Sequence, residues 1–149
     1  MATTINTPRS LPDNFPFRCR LEVDAFSWAS FLNDRGYLTS VVEKLAGVAK
    51  MQLIKVVATE VAVDPQRLGG DRFVDDGGVS VQGLITTSHI ALHAWPQRHF
   101  FMFDLVSCTK FAHLELMGVL RDLLQIERIA YQSFANVADL HREHHGITQ

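Results

Sequence analysis

Long apolar runs are missing from this chain. None approaches the roughly 20 residues needed to cross a bilayer as a helix. The polar stretch 1–14, with Pro8 and Pro12, lacks the basic-then-apolar layout of a secretion signal and reads as a flexible arm. A cytoplasmic protein is therefore expected. Cysteine is scarce, with Cys19 and Cys108 the whole supply, so a disulfide-stapled scaffold is excluded and two thiols are expected in a reducing compartment. An excess of basic charge is absent too. The net charge is -2, which leaves nothing to draw a polyanion, so neither nucleic acid nor a membrane surface is an expected partner. There is no internal repeat and no low-complexity tract. The tail histidines His141, His144 and His145 lack a paired carboxylate framework and read as a solvated end, so no metal is assigned. What the chain does have is 149 residues, 47% of them hydrophobic and 20% charged. That suits one globular domain with a real core, expected over 15–137, with a polar tail over 138–149.

The hydrophobic period changes along the chain. Residues 17–23 alternate apolar and polar, as in a strand with one face buried. Leu38, Val41, Val42, Leu45, Val48 and Ala49 fall at helical spacing, predicting a helix from Asn33 or Leu38 to Lys50. The β-branched stretch 53–63 predicts a second strand, and the Gly- and Asp-rich stretch 64–78 a loop. Strands follow over 79–86, 88–95 and 100–106, the last two joined by a turn at Pro96-Gln97-Arg98-His99. Residues 110–124 return to helical spacing, and 126–134 read as a final strand. Strands joined by a short turn cannot be parallel neighbours. The expected fold is α+β: an antiparallel β-sheet with two helices packed on one face, one layer of a two-layer α/β sandwich. The other sheet face then needs a cover, and a second copy, making a homodimer, is the simplest one.

The informative segment runs from Val79 to Cys108 and reads VSVQGLITTSHIALHAWPQRHFFMFDLVSC. It holds Ser88-His89, then three residues, His93, the pair Trp95-Pro96, a strand, and Cys108. Upstream stands Gly78-Val79-Ser80. Taken singly, each residue has an ordinary reading. Ser88 is a strand serine, His93 a core histidine, Cys108 a small buried apolar residue, and Trp95-Pro96 packing and turn. By alternation His89 points to the sheet face opposite Ser88 and Ile90, which suits a structural role. Taken together, their order and spacing resemble the core motif of the bacterial and archaeal S-adenosylmethionine decarboxylase proenzymes. The element order from about Phe17 to Phe134 agrees with that family.

The resemblance implies a self-processing carboxy-lyase. Decarboxylating an α-amino acid leaves a carbanion that needs an electron sink, and a carbonyl that forms a Schiff base with the substrate amine provides one. No natural side chain carries a ketone. The family makes one from its own serine, here Ser88, whose hydroxyl attacks the preceding carbonyl of Thr87. The amide becomes an ester, β-elimination cuts the chain, and the new N-terminus hydrolyses to a pyruvoyl group. Residues 1–87 and a pyruvoyl-capped 88–149 are the implied products. By the same resemblance Ser80 and His93 assist the self-cleavage, and Cys108 returns a proton to the α-carbon after CO2 leaves. The implied substrate is S-adenosylmethionine, giving the aminopropyl donor for spermidine.

This chain departs from the family at four places. Thr87 stands where Glu is usual before the cleavage serine, Val81 where Gly is usual, and Thr109 where Gly follows the acid cysteine. Gln97 stands in place of the Glu whose carboxylate holds the ribose hydroxyls, and a neutral acceptor is weaker than a charged one. Some relatives of the family decarboxylate ornithine or arginine, whose cationic tails call for a carboxylate partner. Asp75 and Asp76 could supply it, or be simple turn residues. Phe73 lies one residue from where the family places an adenine-stacking Phe. Two alternatives therefore stand beside the S-adenosylmethionine reading: a pyruvoyl-dependent ornithine or arginine decarboxylase, and an unprocessed, non-catalytic homologue.

Overall fold

The computed structural model describes residues 18–62 and 77–136. The expected arm 1–14, the tail 138–149, and the candidate substrate residues Phe73, Asp75 and Asp76 lie outside them. In chain order the elements are β1 (Cys19–Phe26), α1 (Arg35–Val48), β2 (Leu53–Val61), β3 (Gly78–Ile85), β4 (Ser88–Trp95), β5 (Phe100–Ser107), α2 (His113–Leu124) and β6 (Arg128–Asn136). Short 3-10 turns precede α1 at Ser30–Asn33 and link β4 to β5 at Pro96–Arg98. The six strands form one sheet in the order β2-β3-β4-β5-β1-β6, with every neighbouring pair antiparallel. The expected α+β architecture is the observed one.

Alternation decides which side of the sheet each residue serves. On β1, Leu21, Val23 and Ala25 are buried while Arg20, Glu22, Asp24 and Phe26 between them are only partly covered. The antiparallel register carries that inner face across the sheet: Val23 pairs Phe103, Phe103 pairs Leu92, and Leu92 pairs Val81. Both helices seal this face. Leu38, Val41, Val42 and Leu45 of α1, and Leu116, Leu120 and Leu124 of α2, join one core with Phe101, Phe103 and Leu105. Each fully buried side chain of this size stabilises the fold by roughly 1.5–3 kcal/mol. Gly83 lets α1 come close, because a Cβ there would sit 2.9 Å from Val42 Cγ1.

The helix ends follow local chemistry. Asp34 caps α1 by accepting the Tyr37 N–H at 2.9 Å. Tyr37 Oη donates to the Leu123 carbonyl at 2.7 Å, tying the two helices together. Past α2, Gln125 takes a left-handed conformation (φ 47) and stops the helix.

Among the described residues, no helix packs on the second face of the sheet. Val57, Leu84, Met102 and Tyr131 are each about half exposed on it. No helix among the described residues is long and apolar enough to cross a membrane.

Candidate active site

Ser88 opens β4, directly after the two-residue turn Thr86-Thr87 that joins it to β3, and Ile85 and Ser88 close this hairpin as partners. Ser88 has φ 153, a value that L-residues rarely adopt. Such a conformation costs of order 1–3 kcal/mol and persists only where the surroundings impose it. Breaking the bond on its N-terminal side would relieve that strain.

The surroundings are strand β5 and the residues just after it. Cys108 donates its backbone N–H to the Thr87 carbonyl oxygen at 3.0 Å. That oxygen belongs to the carbonyl the Ser88 hydroxyl would attack, so the N–H stands where negative charge would develop. Ser107, fully buried, donates its hydroxyl to Thr87 Oγ1 at 3.0 Å and accepts the Thr109 N–H at 3.0 Å. Its Oγ also lies 3.1 Å from Thr109 Oγ1. Thr87 and Thr109, two of the departures from the family pattern, thus meet on one buried hydroxyl. Thr87 is held by its backbone and its side chain at once.

On the open face, His89 Nδ1 lies 3.1 Å from Ser88 Oγ, and its Nε2 lies 3.6 Å from Asp104 Oδ2. Arg20 donates Nε to Asp104 Oδ1 at 3.0 Å and Nη2 to Oδ2 at 3.4 Å, and pairs with Glu22 at 2.9 Å. The bond to Asp104 raises the Arg20 guanidinium above its ordinary pKa. Neighbouring side chains on a regular strand point to opposite faces. Ser88 and His89 meet because the backbone at Ser88 is not regular. Thr87, Ser88, His89, Asp104, Arg20 and Cys108 share one open cavity of about 460 Å³. That is ample room for an amino acid.

The other candidates lie elsewhere. Ser80 and His93 are cross-strand partners on the open face, and the His93 ring packs on Trp95 with centroids 4.0 Å apart. His93 follows Ser88 by five strand residues, about 16 Å along β4. One copy of the chain therefore brings together Ser88, Thr87 and Cys108 but leaves Ser80 and His93 apart from them. Gln97 is exposed in the turn after β4, which His99 completes in a left-handed conformation (φ 51). Sequence reasoning missed His89 as a neighbour of Ser88, and it missed Asp104, Arg20 and Ser107. One signal was available: Arg20, Glu22 and Asp104 are charges inside apolar strands, the mark of a face that holds polar business.

The architecture is similar to the crystal structure of the adenosylmethionine decarboxylase from Aquifex aeolicus, with TM-score 0.58, 14% identity, and coverage of 80% of this chain and 87% of that one. At that identity the likeness shows the fold alone. The profile of the S-adenosylmethionine decarboxylase family matches residues 20–136, and the chain belongs to that family. Two relatives in sequence carry another substrate in their names. The arginine decarboxylase proenzyme of Caldivirga maquilingensis is 40% identical over 77 residues, 52% of this chain and 50% of that protein. The arginine decarboxylase proenzyme of Pyrobaculum arsenaticum is 34% identical over 90 residues, 60% of this chain and 59% of that protein. The chain thus spans about half the length of the curated relatives it matches.

Proposed function

We propose that this chain is a self-processing decarboxylase proenzyme that turns Ser88 into a pyruvoyl group and uses it on a cationic α-amino acid. One observation carries the reading. The Thr87–Ser88 bond combines a strained serine with a carbonyl oxygen already held by the Cys108 N–H. The residues fit the group that would form there, since the new end of β4 would open into the cavity that Cys108 lines. A pyruvoyl group supplies a carbonyl that takes up the substrate amine and draws electrons from the bond to the departing carboxyl. Cys108 would return a proton to the α-carbon.

Arginine is the substrate we favour. Two relatives at 34–40% identity are named for it, and Gln97 offers no carboxylate to a ribose. The second reading, S-adenosylmethionine as the source of the aminopropyl donor for spermidine, is supported by the Trp95-Pro96 turn that resembles the family's ribose-binding turn.

The reading includes a homodimer in the cytoplasm. The half-exposed Val57, Leu84, Met102 and Tyr131 give the open face an apolar surface that a second copy would cover. A partner is also the simplest route by which a Ser80–His93 pair could reach Ser88.

Intact mass and denaturing electrophoresis test the reading. Wild type should give fragments 1–87 and 88–149, the second with a blocked end, and Ser88→Ala should stay whole. CO2 release from carboxyl-labelled arginine, ornithine and S-adenosylmethionine then selects the substrate. A wild-type chain that stays whole on long incubation would overturn the cofactor claim and favour an unprocessed, non-catalytic homologue.

A further inference from the structure

Attack by Ser88 needs a base, because a serine hydroxyl is a weak nucleophile until its proton has somewhere to go. His93 stands five residues further along β4 in the same copy. His89 Nδ1 is already 3.1 Å from the Ser88 hydroxyl oxygen, within reach of its proton. We infer that His89 is a catalytic residue of the self-cleavage, taking the Ser88 proton and delivering it to the Ser88 nitrogen, with Asp104 and Arg20 as its positioning residues. The inference rests on the reading that the chain cuts itself at Thr87–Ser88.

The step balances within the chain. Ser88 Oγ bonds to the Thr87 carbonyl carbon as its proton passes to His89 Nδ1. The negative charge on the Thr87 oxygen is met by the Cys108 N–H. The bond from the Thr87 carbonyl carbon to the Ser88 nitrogen then breaks, its electron pair stays on nitrogen, and nitrogen takes the proton from Nδ1. An amide has become an ester with a free amine, and no outside reagent is consumed.

The neighbours suit this role. For Nδ1 to accept, the neutral ring must carry its proton on Nε2, which faces Asp104 Oδ2. At 3.6 Å this is too long for a hydrogen bond, but the carboxylate still favours that tautomer. Two bonds from Arg20 fix Asp104, and Glu22 fixes Arg20 in turn. With His89 neutral these four side chains carry one net negative charge, and the transferred proton cancels it. The cluster is partly exposed, so this preference is screened and modest.

The test follows self-cleavage of the full chain after pulse-labelled cell-free translation, read as loss of the whole chain on a gel. His89→Ala and His89→Gln should each slow cleavage by about a hundredfold or more, the usual scale for losing a general acid–base group. Added imidazole should restore much of the rate to His89→Ala, since in the single chain His89 is exposed and lines an open cavity. Asp104→Asn should slow cleavage less than either. To separate chemistry from folding, Ser88→Ala and the double variant Ser88→Ala/His89→Ala, both whole, should melt together. Cleavage of His89→Ala at the wild-type rate would overturn the inference and leave the proposed function standing. So would slow cleavage that imidazole does not restore, coupled to a lowered melting temperature, because that marks a structural histidine. A wild-type chain that never cuts would bring down both.

Discussion

Ser107→Ala is the most direct probe of how Thr87, the residue before the proposed cut, is held. Ser107 is fully buried, and its hydroxyl serves Thr87 Oγ1, the Thr109 N–H and Thr109 Oγ1, at 3.0, 3.0 and 3.1 Å. Each such bond contributes roughly 0.5–1.5 kcal/mol net. Thr109 is exposed, so water can take over its lost bonds, whereas Thr87 is half-buried and recovers less. The expected cost is therefore about 1–2 kcal/mol rather than the sum of three bonds. For a chain of this size that lowers the melting temperature by roughly 3–6 °C. Measurement belongs in the uncut Ser88→Ala background, comparing Ser88→Ala with Ser88→Ala/Ser107→Ala at one protein concentration, since assembly would shift both values. In the Ser88 chain, Ser107→Ala should also slow self-cleavage, because Thr87 loses the anchor on its side chain. A double variant within about 0.5 kcal/mol of its parent would refute the claim that this hydroxyl organises the turn.

Four further outcomes follow. Cys108→Ala keeps the backbone N–H on the Thr87 oxygen, so it should cut normally yet lose about a hundredfold or more in decarboxylation, and normal turnover would reduce the thiol to packing. Gln97→Glu should tighten S-adenosylmethionine by about 1 kcal/mol and leave arginine unmoved; equal changes in KM for both would exclude a ribose contact at this turn. Wild type should sediment as a dimer and Leu84→Lys, which puts a charge among the exposed apolar residues of the open face, as a monomer; a Leu84→Lys dimer would place the interface elsewhere. Partial burial raises the Asp24 carboxyl above its ordinary 3.8, so the folded chain holds that proton more readily than the unfolded chain and the charged form is a cost near neutral pH. Asp24→Asn should therefore be the more stable protein near neutral pH, its advantage fading as pH falls through the raised pKa, and a constant difference in denaturation midpoint across that range would refute the assignment.

The fold was largely legible because its signals are local. Alternation gave β4 its bounds, Ser88–Trp95, and helical spacing gave α1 and α2 to within a few residues. The ends were less legible: β1 runs on to Phe26 rather than stopping at Val23, and α2 starts at His113 rather than Lys110. Those limits depend on which strands pair and on backbone conformation at the caps. The same cause hid part of the site. Arg20 meets Asp104 across 84 residues of sequence only because β1 lies beside β5, a pairing that no local pattern reports. Alternation turns His89 away from Ser88 only where the strand backbone is regular, and Ser88 at φ 153 is where that rule breaks. No local pattern marks Ser107. Its role depends on register, which sets it opposite both Ser88 and Cys19.

The strand order has a consequence for what happens after a cut. A break between Thr87 and Ser88 would leave β1, α1, β2 and β3 on one piece and β4, β5, α2 and β6 on the other. In the sheet those pieces are interleaved, for β1 of the first lies between β5 and β6 of the second. Three ladders, β3–β4, β5–β1 and β1–β6, would then join different molecules. Neither piece could leave without unzipping the middle of the sheet, so the severed protein would stay together while it remained folded. Once fully unfolded, however, its halves would have to find each other in solution, and recovery would become a second-order process that slows with dilution. The break would thus make folding a one-way event: the uncut chain would fold as one molecule, and the cut protein would not readily repeat the journey.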